Sequence, residues 1–375
     1  MKVSVLQENL TKGLNTISRF ITTKTQLPIL NNVLIKTNQG RLKLTATNLE
    51  TGINLWLGAK IEKEGETCLP AKLLTEYISS LPPQKINLEI INNSLKVDCE
   101  GYQASFLTSP TAEFPLIPSL EKKAEILLGI KDLSLVINQV AFAATQDEGR
   151  PVLTGVLLKI KKESLFLVAT DGYRLSVKEI KQLKGIEKLA KFQEELLIPA
   201  RALMEVSKIL TEAGESPELG LTITPKNNQV IFSTPDVEII SRLIEGKFPD
   251  FEKIIPNKGK TQLTIETENL LQAVRTASIF AREAANIIKF EIKNNKLEIS
   301  SNSPQLGENK ITLEVKTEGS GGEIAFNARY LMDFLNAIKS DLINLQMSDA
   351  LSPGVFSPAD DKSFLHIIMP IRIQE

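Results

Sequence analysis

The sequence predicts an α+β protein built from three repeated domains, each with two helices and antiparallel sheets. One six-residue pattern occurs three times, at 69–74, 198–203 and 326–331. The copies lie about 130 residues apart, which is a domain-sized spacing well beyond the period of a solenoid repeat. Helix-like and strand-like patterns also follow one another in the same order in each copy. We therefore expect domains at 1–119, 125–254 and 262–375, with linkers near 118–125 and 255–262.

Each copy of the pattern predicts a helix with one apolar stripe, at offsets of four, seven and eleven residues. Pro70 and Pro199 suit a first helical turn, and Asn327 is a capping residue. The stripes are Leu74, Tyr77 and Leu81; Leu203, Val206 and Leu210; and Leu331, Phe334 and Ile338. Each repeated domain also begins with another amphipathic helix. Its apolar residues are Leu10, Leu14 and Ile17; Leu133, Ile137 and Val140; and Leu270, Val274 and Ala277.

Alternating strand-like runs lie between the two helices of each copy. Short polar turns such as 38–40 and 294–295 join them, as in antiparallel hairpins. This order favours an α+β fold over a parallel doubly wound one. The runs are 30–36 and 41–47 in the first copy, 153–159 and 165–170 in the second, and 288–292 and 296–300 in the third.

Composition indicates a soluble cytoplasmic protein. Of the 375 residues, 42% are hydrophobic and 24% are charged, and no apolar run is long enough to span a bilayer. Residues 1–5 alternate between apolar and polar side chains, as a strand does, and lack the apolar stretch of a signal peptide. Cys68 and Cys99 form neither a metal-binding spacing nor a disulfide framework. The formal net charge of −1 means that any basic surface must be local.

Motifs for catalysis, metals or cofactors are missing from the sequence. The one histidine, His366, lies in the last strand-like run, where a structural role is commoner than a catalytic one. The glycine-rich segment 319–322 lacks the lysine and serine or threonine of a phosphate loop and is interpreted as a hairpin turn. Asp171 and Gly172 predict a turn between strands. We expect no catalytic residue, no metal site and no cofactor.

A basic residue recurs at offset two of the patterned helix, opposite its apolar stripe: Lys72, Arg201 and Arg329. This face could meet phosphates. Each basic residue also has a carboxylate four positions later, and from spacing alone a solvated ion pair is the commoner explanation. Those carboxylates are Glu76, Glu205 and Asp333.

Several motifs, in order and spacing across the whole chain, resemble the DNA polymerase III beta subunit family, the replication sliding clamps of bacteria. The first domain carries 27–30 and Phe114-Pro115, and the second carries 150–153, 169–175 and 248–251. The third domain carries Phe326-Asn327 and the ending 368–372.

The resemblance implies a head-to-tail ring dimer that encircles double-stranded DNA without reading its sequence. The ring tethers DNA polymerase III through its alpha subunit, and binds the clamp loader and other proteins with a clamp-binding motif. It does so without catalysis, and a modest basic lining suits sliding. The residues expected to face DNA are Lys24, Lys72, Arg150, Arg201 and Arg329.

The resemblance also implies an apolar partner pocket between the second and third domains, where methionine and proline suit several short peptides. Its walls would be Leu153, Thr170, Gly172, Tyr173, Arg174, Leu175, Pro249, Leu351, Pro353, Ile368, Met369, Pro370, Ile371 and Arg372. Tyr173 stands where some members have histidine. The dimer contact would join the first and third domains through Phe106, Ile279 and Phe280, which ordinary core packing would equally explain.

Two other functions stay open from the residues alone. The cleft between the second and third domains could hold an enzyme site around Arg174 and Arg372, although no base accompanies them. The chain could also be a peptide-binding scaffold with no role on DNA.

Overall fold

The structure is a computed structural model. It describes residues 1–21, 27–120, 124, 126–128, 133–161, 163–181, 186–187, 195–212, 219–224, 228–256, 259–283, 285–305 and 307–372. The chain forms two compact units. Unit 1 comprises residues 1–130 and 215–243, and unit 2 comprises residues 131–214 and 244–375. The division into three domains at 1–119, 125–254 and 262–375 stays a prediction.

The described residues form helices and strands that we number in chain order. The helices are α1 (Gln7–Ser18), α2 (Ala71–Ser80), α3 (Leu133–Ala141), α4 (Ala200–Glu212), α5 (Thr267–Ala281) and α6 (Ala328–Ala337). The strands are β1 (Lys2–Leu6), β2 (Asn32–Asn38), β3 (Arg41–Thr47), β4 (Thr51–Leu57), β5 (Lys60–Lys63), β6 (Glu66–Pro70), β7 (Lys85–Ile91), β8 (Ser94–Cys99), β9 (Tyr102–Leu107), β10 (Ile126–Leu128), β11 (Gly155–Lys161), β12 (Ser164–Thr170), β13 (Arg174–Lys181), β14 (Glu195–Pro199), β15 (Leu219–Thr224), β16 (Gln229–Ser233), β17 (Val237–Arg242), β18 (Thr261–Glu266), β19 (Ile287–Lys293), β20 (Lys296–Ser303), β21 (Gly307–Glu314), β22 (Lys316–Glu318), β23 (Gly322–Asn327), β24 (Leu342–Met347), β25 (Gly354–Pro358) and β26 (Phe364–Ile368).

The six predicted helices are all present, and their predicted stripes are largely buried. Leu10, Leu14 and Ile17 of α1 are fully buried, because they share one face of a helix that packs on the sheet. α2 and α4 begin directly after Pro70 and Pro199, one residue later than predicted. Asn327 caps α6 as predicted, since its side-chain oxygen accepts a 3.0 Å hydrogen bond from the Arg329 N–H.

Unit 1 contains two sheets in which every pairing is antiparallel. A five-stranded sheet has the order β5-β1-β7-β8-β9, and an eight-stranded sheet has the order β10-β15-β16-β17-β4-β3-β2-β6. β4 and β17 lie far apart in the sequence, and their pairing makes the larger sheet continuous. Antiparallel sheets and two adjacent helices, α1 and α2, confirm the predicted α+β character here.

One buried carboxylate fixes the start of the first predicted linker to this larger sheet. Glu238 of β17 accepts hydrogen bonds from the Asn54 amide (3.1 Å), the Ser119 hydroxyl (2.9 Å) and the Leu120 N–H (3.1 Å). Asn54 also donates to the Pro118 carbonyl at 3.1 Å. Residues 118–120 are therefore held against the β4–β17 pair.

Unit 2 also has two antiparallel sheets. Its nine-stranded sheet has the order β14-β11-β12-β13-β26-β25-β24-β18-β22, and its four-stranded sheet has the order β21-β20-β19-β23. β13 pairs with β26, the last strand of the chain, and this pair joins the second repeat to the third. α3 packs beside α4, and α5 packs beside α6. Within the described residues, no helix is both long and apolar enough to cross a membrane.

The glycine-rich segment after β22 is not the hairpin turn that the sequence predicts. β22 pairs with β18 in the nine-stranded sheet, whereas β23 pairs with β19 in the four-stranded sheet, so the segment crosses between sheets. Gly319 and Gly321 adopt φ values of +105° and +73°. A Cβ at Gly319 would lie 2.2 Å from the Lys260 carbonyl oxygen, so this crossing requires glycine.

His366 lies in the core at the β13–β26 seam. It has no exposed surface, its Nδ1 lies 2.7 Å from the Ser176 hydroxyl, and its ring stacks on Phe334 at 5.1 Å. Phe142 packs on it as well. Burial lowers the pKa of His366 well below its ordinary value, and the Arg174 cation lowers the pKa further. This environment favours the structural role.

We expect acid to destabilise unit 2 through His366. The buried ring stays neutral, while the unfolded chain takes up a proton below its ordinary pKa of 6.5, so stability present above pH 6.5 is lost as the pH falls. One proton gives a slope of at most about 1.4 kcal/mol per pH unit. Urea unfolding at pH 8, 7, 6 and 5 measures this slope.

His366→Phe is the informative variant, because the chain has a single histidine. We expect this variant to be less stable than wild type at pH 8, where Ser176 loses its partner, but to show a flatter profile between pH 6.5 and 5. Parallel profiles of the two proteins would contradict the assignment.

Candidate functional site

A row of apolar side chains crosses the β13–β26 seam on the sheet face away from the unit 2 helices. Antiparallel register places Leu175 opposite both Thr170 of β12 and Ile367 of β26, and Ile367 opposite Val355 of β25. Directly opposed residues share a face, so these four side chains form one row across four strands. Leu175 and Ile367 belong to one buried cluster, against which Val355 packs.

The segment 244–256 covers part of this face. Phe248 and Phe251 are buried in the same cluster as Leu175 and Ile367, whereas Pro249 between them is exposed. The segment approaches closely because Gly155 has no side chain: a Cβ there would lie 2.8 Å from Ile244. The two phenylalanines anchor the segment and leave its proline at the surface.

Near the ends of these strands and in the segments beside them, five apolar residues are exposed or half-buried. We call them the junction patch: Tyr173, Pro249, Leu351, Pro353 and Met369. Tyr173 is 60% exposed, Leu351 59% and Met369 39%. The Met369 N–H donates a 2.8 Å hydrogen bond to the Tyr173 carbonyl, so these residues continue the β13–β26 pairing. Large apolar groups that stay exposed side by side are typical of a binding surface.

The turn that carries Tyr173 is held by its own polar groups. The Asp171 carboxylate accepts from the N–H groups of Tyr173 (2.9 Å) and Arg174 (3.0 Å), and the Thr170 hydroxyl accepts from the Gly172 N–H (3.0 Å). Gly172 has a φ of +92°, which favours glycine. The predicted turn is confirmed, and it presents Tyr173 in a fixed position.

Arg150 lies against this turn rather than on an open basic surface. Its Nη1 donates to the Asp171 carbonyl at 2.8 Å, and its Nε donates to Asp147 at 3.0 Å. Its predicted contact with DNA therefore competes with its contacts to the turn.

Arg174 and Ile368, which the sequence placed in the pocket wall, lie on the other face of the sheet. They oppose each other in register, one step out of phase with Leu175 and Ile367, and strand side chains alternate between faces. Ile368 is fully buried among Phe356 and Phe364. Ile367 faces the patch side instead, and the sequence analysis did not name it. Side chains two residues apart in a strand share a face, so Met369 would have pointed to Ile367.

The guanidinium of Arg174 links three parts of unit 2. It donates to Asp171 in the turn before its own strand (3.1 Å), to the carbonyl of Phe142 just after α3 (2.9 Å) and to Asp333 of α6 (2.6 Å). It also lies 4.5 Å from the centre of the Tyr330 ring. Burial raises the pKa of Tyr330, and the Asp171 carboxylate adds to this effect. These contacts occupy the arginine, which weakens the hypothesis of an enzyme site around it.

The remaining predicted wall residues lie around the patch. Leu153 is half-buried in a short turn before β11, and Pro370 and Ile371 are half-buried after β26, whereas Arg372 is exposed. The Ile371 N–H donates to the Ala325 carbonyl at 2.9 Å. The chain end is thus tied to β23. Among the described residues, no group of histidine, cysteine or carboxylate side chains could hold a metal ion.

The repeated basic position has diverged in its contacts. Lys72 is exposed and lies 4.0 Å from Glu76, as the ion-pair hypothesis predicts. Glu205 pairs with Lys208 at 2.7 Å, and Asp333 pairs with Arg174 at 2.6 Å, so both carboxylates have a partner other than the repeated basic residue. Both arginines are exposed. Lys24, the other residue expected to face DNA, lies outside the described residues.

Comparisons with known proteins agree across the whole chain. Family models of the DNA polymerase III beta subunit match its N-terminal domain to residues 1–118, its central domain to 128–250 and its C-terminal domain to 252–372. The beta sliding clamp of Synechocystis is 32% identical over 100% of both chains, and that of Staphylococcus epidermidis is 30% identical over 99% of both. The chain belongs to the DNA polymerase III beta subunit family.

Solved structures of family members have the same fold. The beta subunit of Thermotoga maritima matches with a TM-score of 0.88 and 29% identity, and the sliding clamp of Bacillus subtilis with 0.89 and 27%. Each match covers 100% of both chains. The predicted clamp fold is therefore confirmed.

The candidates for the dimer contact of the clamp differ in exposure. Ile279 on α5 is 56% exposed, and Phe280 is half-buried. Phe106 on β9 is buried and packs edge-on against Tyr77 at 5.4 Å, as a core residue would. Its neighbour Leu107 is 80% exposed. Leu107 is therefore a better candidate on this strand than Phe106.

Strand alternation near the end of the chain predicts that two adjacent substitutions change the free energy of unfolding by very different amounts. Ile368→Ala removes a fully buried side chain and should lower the free energy of unfolding by about 2–5 kcal/mol. Met369→Ala removes an exposed one and should change the free energy of unfolding by less than about 1 kcal/mol. Urea denaturation of both variants measures the difference, and equal losses would show that the register is wrong.

Proposed function

We propose that this chain is a DNA sliding clamp, the non-catalytic processivity subunit of DNA polymerase III. Two copies form a ring around duplex DNA and tether the polymerase without reading sequence. The observation that carries this proposal is the match of all three beta subunit domains, in order, over nearly the full chain. The bacterial cytoplasm is the place where such a clamp would act.

The basic helix positions support a loose contact with DNA. Arg201 and Arg329 are exposed, and the carboxylates one turn later, Glu205 and Asp333, bind Lys208 and Arg174, whereas Lys72 has Glu76 nearby. Exposed cations interact with phosphates over a distance and release counterions. Because the formal net charge is −1, such contacts depend on local basic surface and not on a general attraction of the chain to DNA.

Two sheet edges support head-to-tail assembly. In the described chain, β9 ends the five-stranded sheet and β21 ends the four-stranded sheet, and each pairs on one side only. Unpaired edges offer backbone hydrogen bonds to a second copy, and a contact between two different surfaces closes into a ring when the rotation permits. Leu107 and Ile279 would supply exposed apolar contact area.

The junction patch is the proposed site for partner peptides, including those of the polymerase alpha subunit and the clamp loader. It combines the exposed side chains of Tyr173, Leu351 and Met369 with two prolines. Methionine adapts its shape to different apolar partners, and tyrosine offers a large area at small entropic cost. One surface can therefore accept several short motifs.

Topological binding predicts a dependence on DNA ends. After loading onto nicked circular DNA by its clamp loader, the protein should elute with the circle in gel filtration. Cutting the circle once with a restriction enzyme should release most of it, because a ring slides off an end. Equal retention on circular and linear DNA would contradict encirclement.

Light scattering of the free protein, without DNA, tests assembly. We expect a mass near twice that of the 41.5 kDa chain. A strict monomer at micromolar concentration would contradict the proposed ring dimer.

The exposed arginines of the patterned helices predict a change in salt dependence. Exchanging Arg201 and Arg329 together for glutamate should reduce the slope of log binding constant against log salt by about 0.9 for each phosphate that is no longer neutralised. Fluorescence anisotropy with a labelled duplex measures the slope. Lys96→Glu, on an exposed sheet position, reverses one charge rather than two, at a site away from the helices, and should leave the slope unaltered. The proposed DNA face would be wrong if both variants behaved alike.

A further inference from the structure

Asp333 occupies a helix position at which the equivalent carboxylates of the other two repeats bind different partners. Glu76 makes an exposed pair with Lys72 within its own helix, and Glu205 pairs with Lys208 within its own helix. Asp333 instead reaches another element, where its Oδ2 accepts a 2.6 Å hydrogen bond from Nη1 of Arg174. A charge-assisted contact of this length is a strong one.

The Arg174 side chain that Asp333 holds is closely confined. It is 9% exposed and lies between the rings of Phe142 (5.3 Å) and Tyr330 (4.5 Å). Its third donor binds the Phe142 carbonyl. Asp333 and Tyr330 belong to the third repeat, whereas Arg174 and Phe142 belong to the second, so the contact bridges the seam beneath the junction patch.

A continuous set of hydrogen bonds leads from Asp333 to the patch. Arg174 Nε donates to Asp171 at 3.1 Å, and the other Asp171 oxygen accepts from the Tyr173 N–H at 2.9 Å. The Tyr173 carbonyl then accepts from the Met369 N–H at 2.8 Å. The contact on the helix layer thereby restrains the backbone that carries two of the exposed side chains of the patch, Tyr173 and Met369.

We propose that Asp333 is a positioning residue for the partner-binding surface. It does not touch the partner. Its ion pair with Arg174 holds the two repeats at the spacing at which Tyr173 and Met369 present one continuous apolar surface. This inference rests on the proposed function, since it assigns a role in partner binding.

Peptide binding tests the proposal directly. The probe is a fluorescein-labelled peptide that copies the clamp-binding segment of the same organism's DNA polymerase III alpha subunit. Asp333→Ala should weaken its binding about tenfold, equivalent to about 1.4 kcal/mol. Asp333→Asn, which keeps an oxygen acceptor for Arg174, should recover part of the loss. Glu76→Ala removes the same charge from the same helix position in the first repeat and should bind as wild type does.

A spectroscopic measurement separates positioning from general destabilisation. The chain has 5 methionines, so the methyl signal of Met369 can be assigned in protein labelled with ¹³C-methyl methionine. That signal should shift in Asp333→Ala and not in Glu76→Ala, while the dimer mass is retained. Wild-type affinity of Asp333→Ala would overturn the proposal, as would equal losses in the alanine and asparagine variants with an unmoved Met369 signal.

Failure of the proposed function would look different. If wild type itself did not bind the peptide, partner binding at the patch would be rejected first. The Met369 signal would then decide whether Asp333 positions this surface at all, and an unmoved signal in Asp333→Ala would reject that as well.

Discussion

The backbone pairing of β13 with β26 is the interaction on which unit 2 depends. It joins strands that lie far apart in the sequence and makes one nine-stranded sheet from two repeats. Because side chains alternate between faces, this register sends Leu175 and Ile367 toward the patch and Arg174 and Ile368 toward the helices. A slip of one residue would exchange the two sets and remove both the core packing and the binding surface.

Polar groups at the seam make that register specific. A slip of two residues would keep the same faces, so strand alternation alone does not exclude it. It would, however, separate Ser176 from His366. An unsatisfied polar group in the core costs about 1–3 kcal/mol. The single histidine of the chain therefore has a physical explanation that does not involve catalysis.

The sequence was sufficient to predict the repeats, the six helices and the antiparallel strands, because periodicity depends on local side-chain patterns. It also placed Tyr173 and Met369 near each other, through the family resemblance. It did not predict that Ile367 rather than Ile368 faces the patch, although alternation contains that information. The glycine segment 319–322 was misjudged because a turn within one sheet and a crossing between two sheets use the same residues.

The ion pairs could not be predicted from spacing for a different reason. Partners four residues apart on a helix gain only about 0.2–0.5 kcal/mol, so any better partner from a neighbouring element displaces them. Arg174 is such a partner for Asp333, because its guanidinium is largely excluded from water and needs a counter-charge. The three repeats therefore share their backbone structure but not the ion pairs of their side chains. Asp333 binds Arg174 across the seam while Arg329 on the same helix stays exposed, so the two residues make separate contacts.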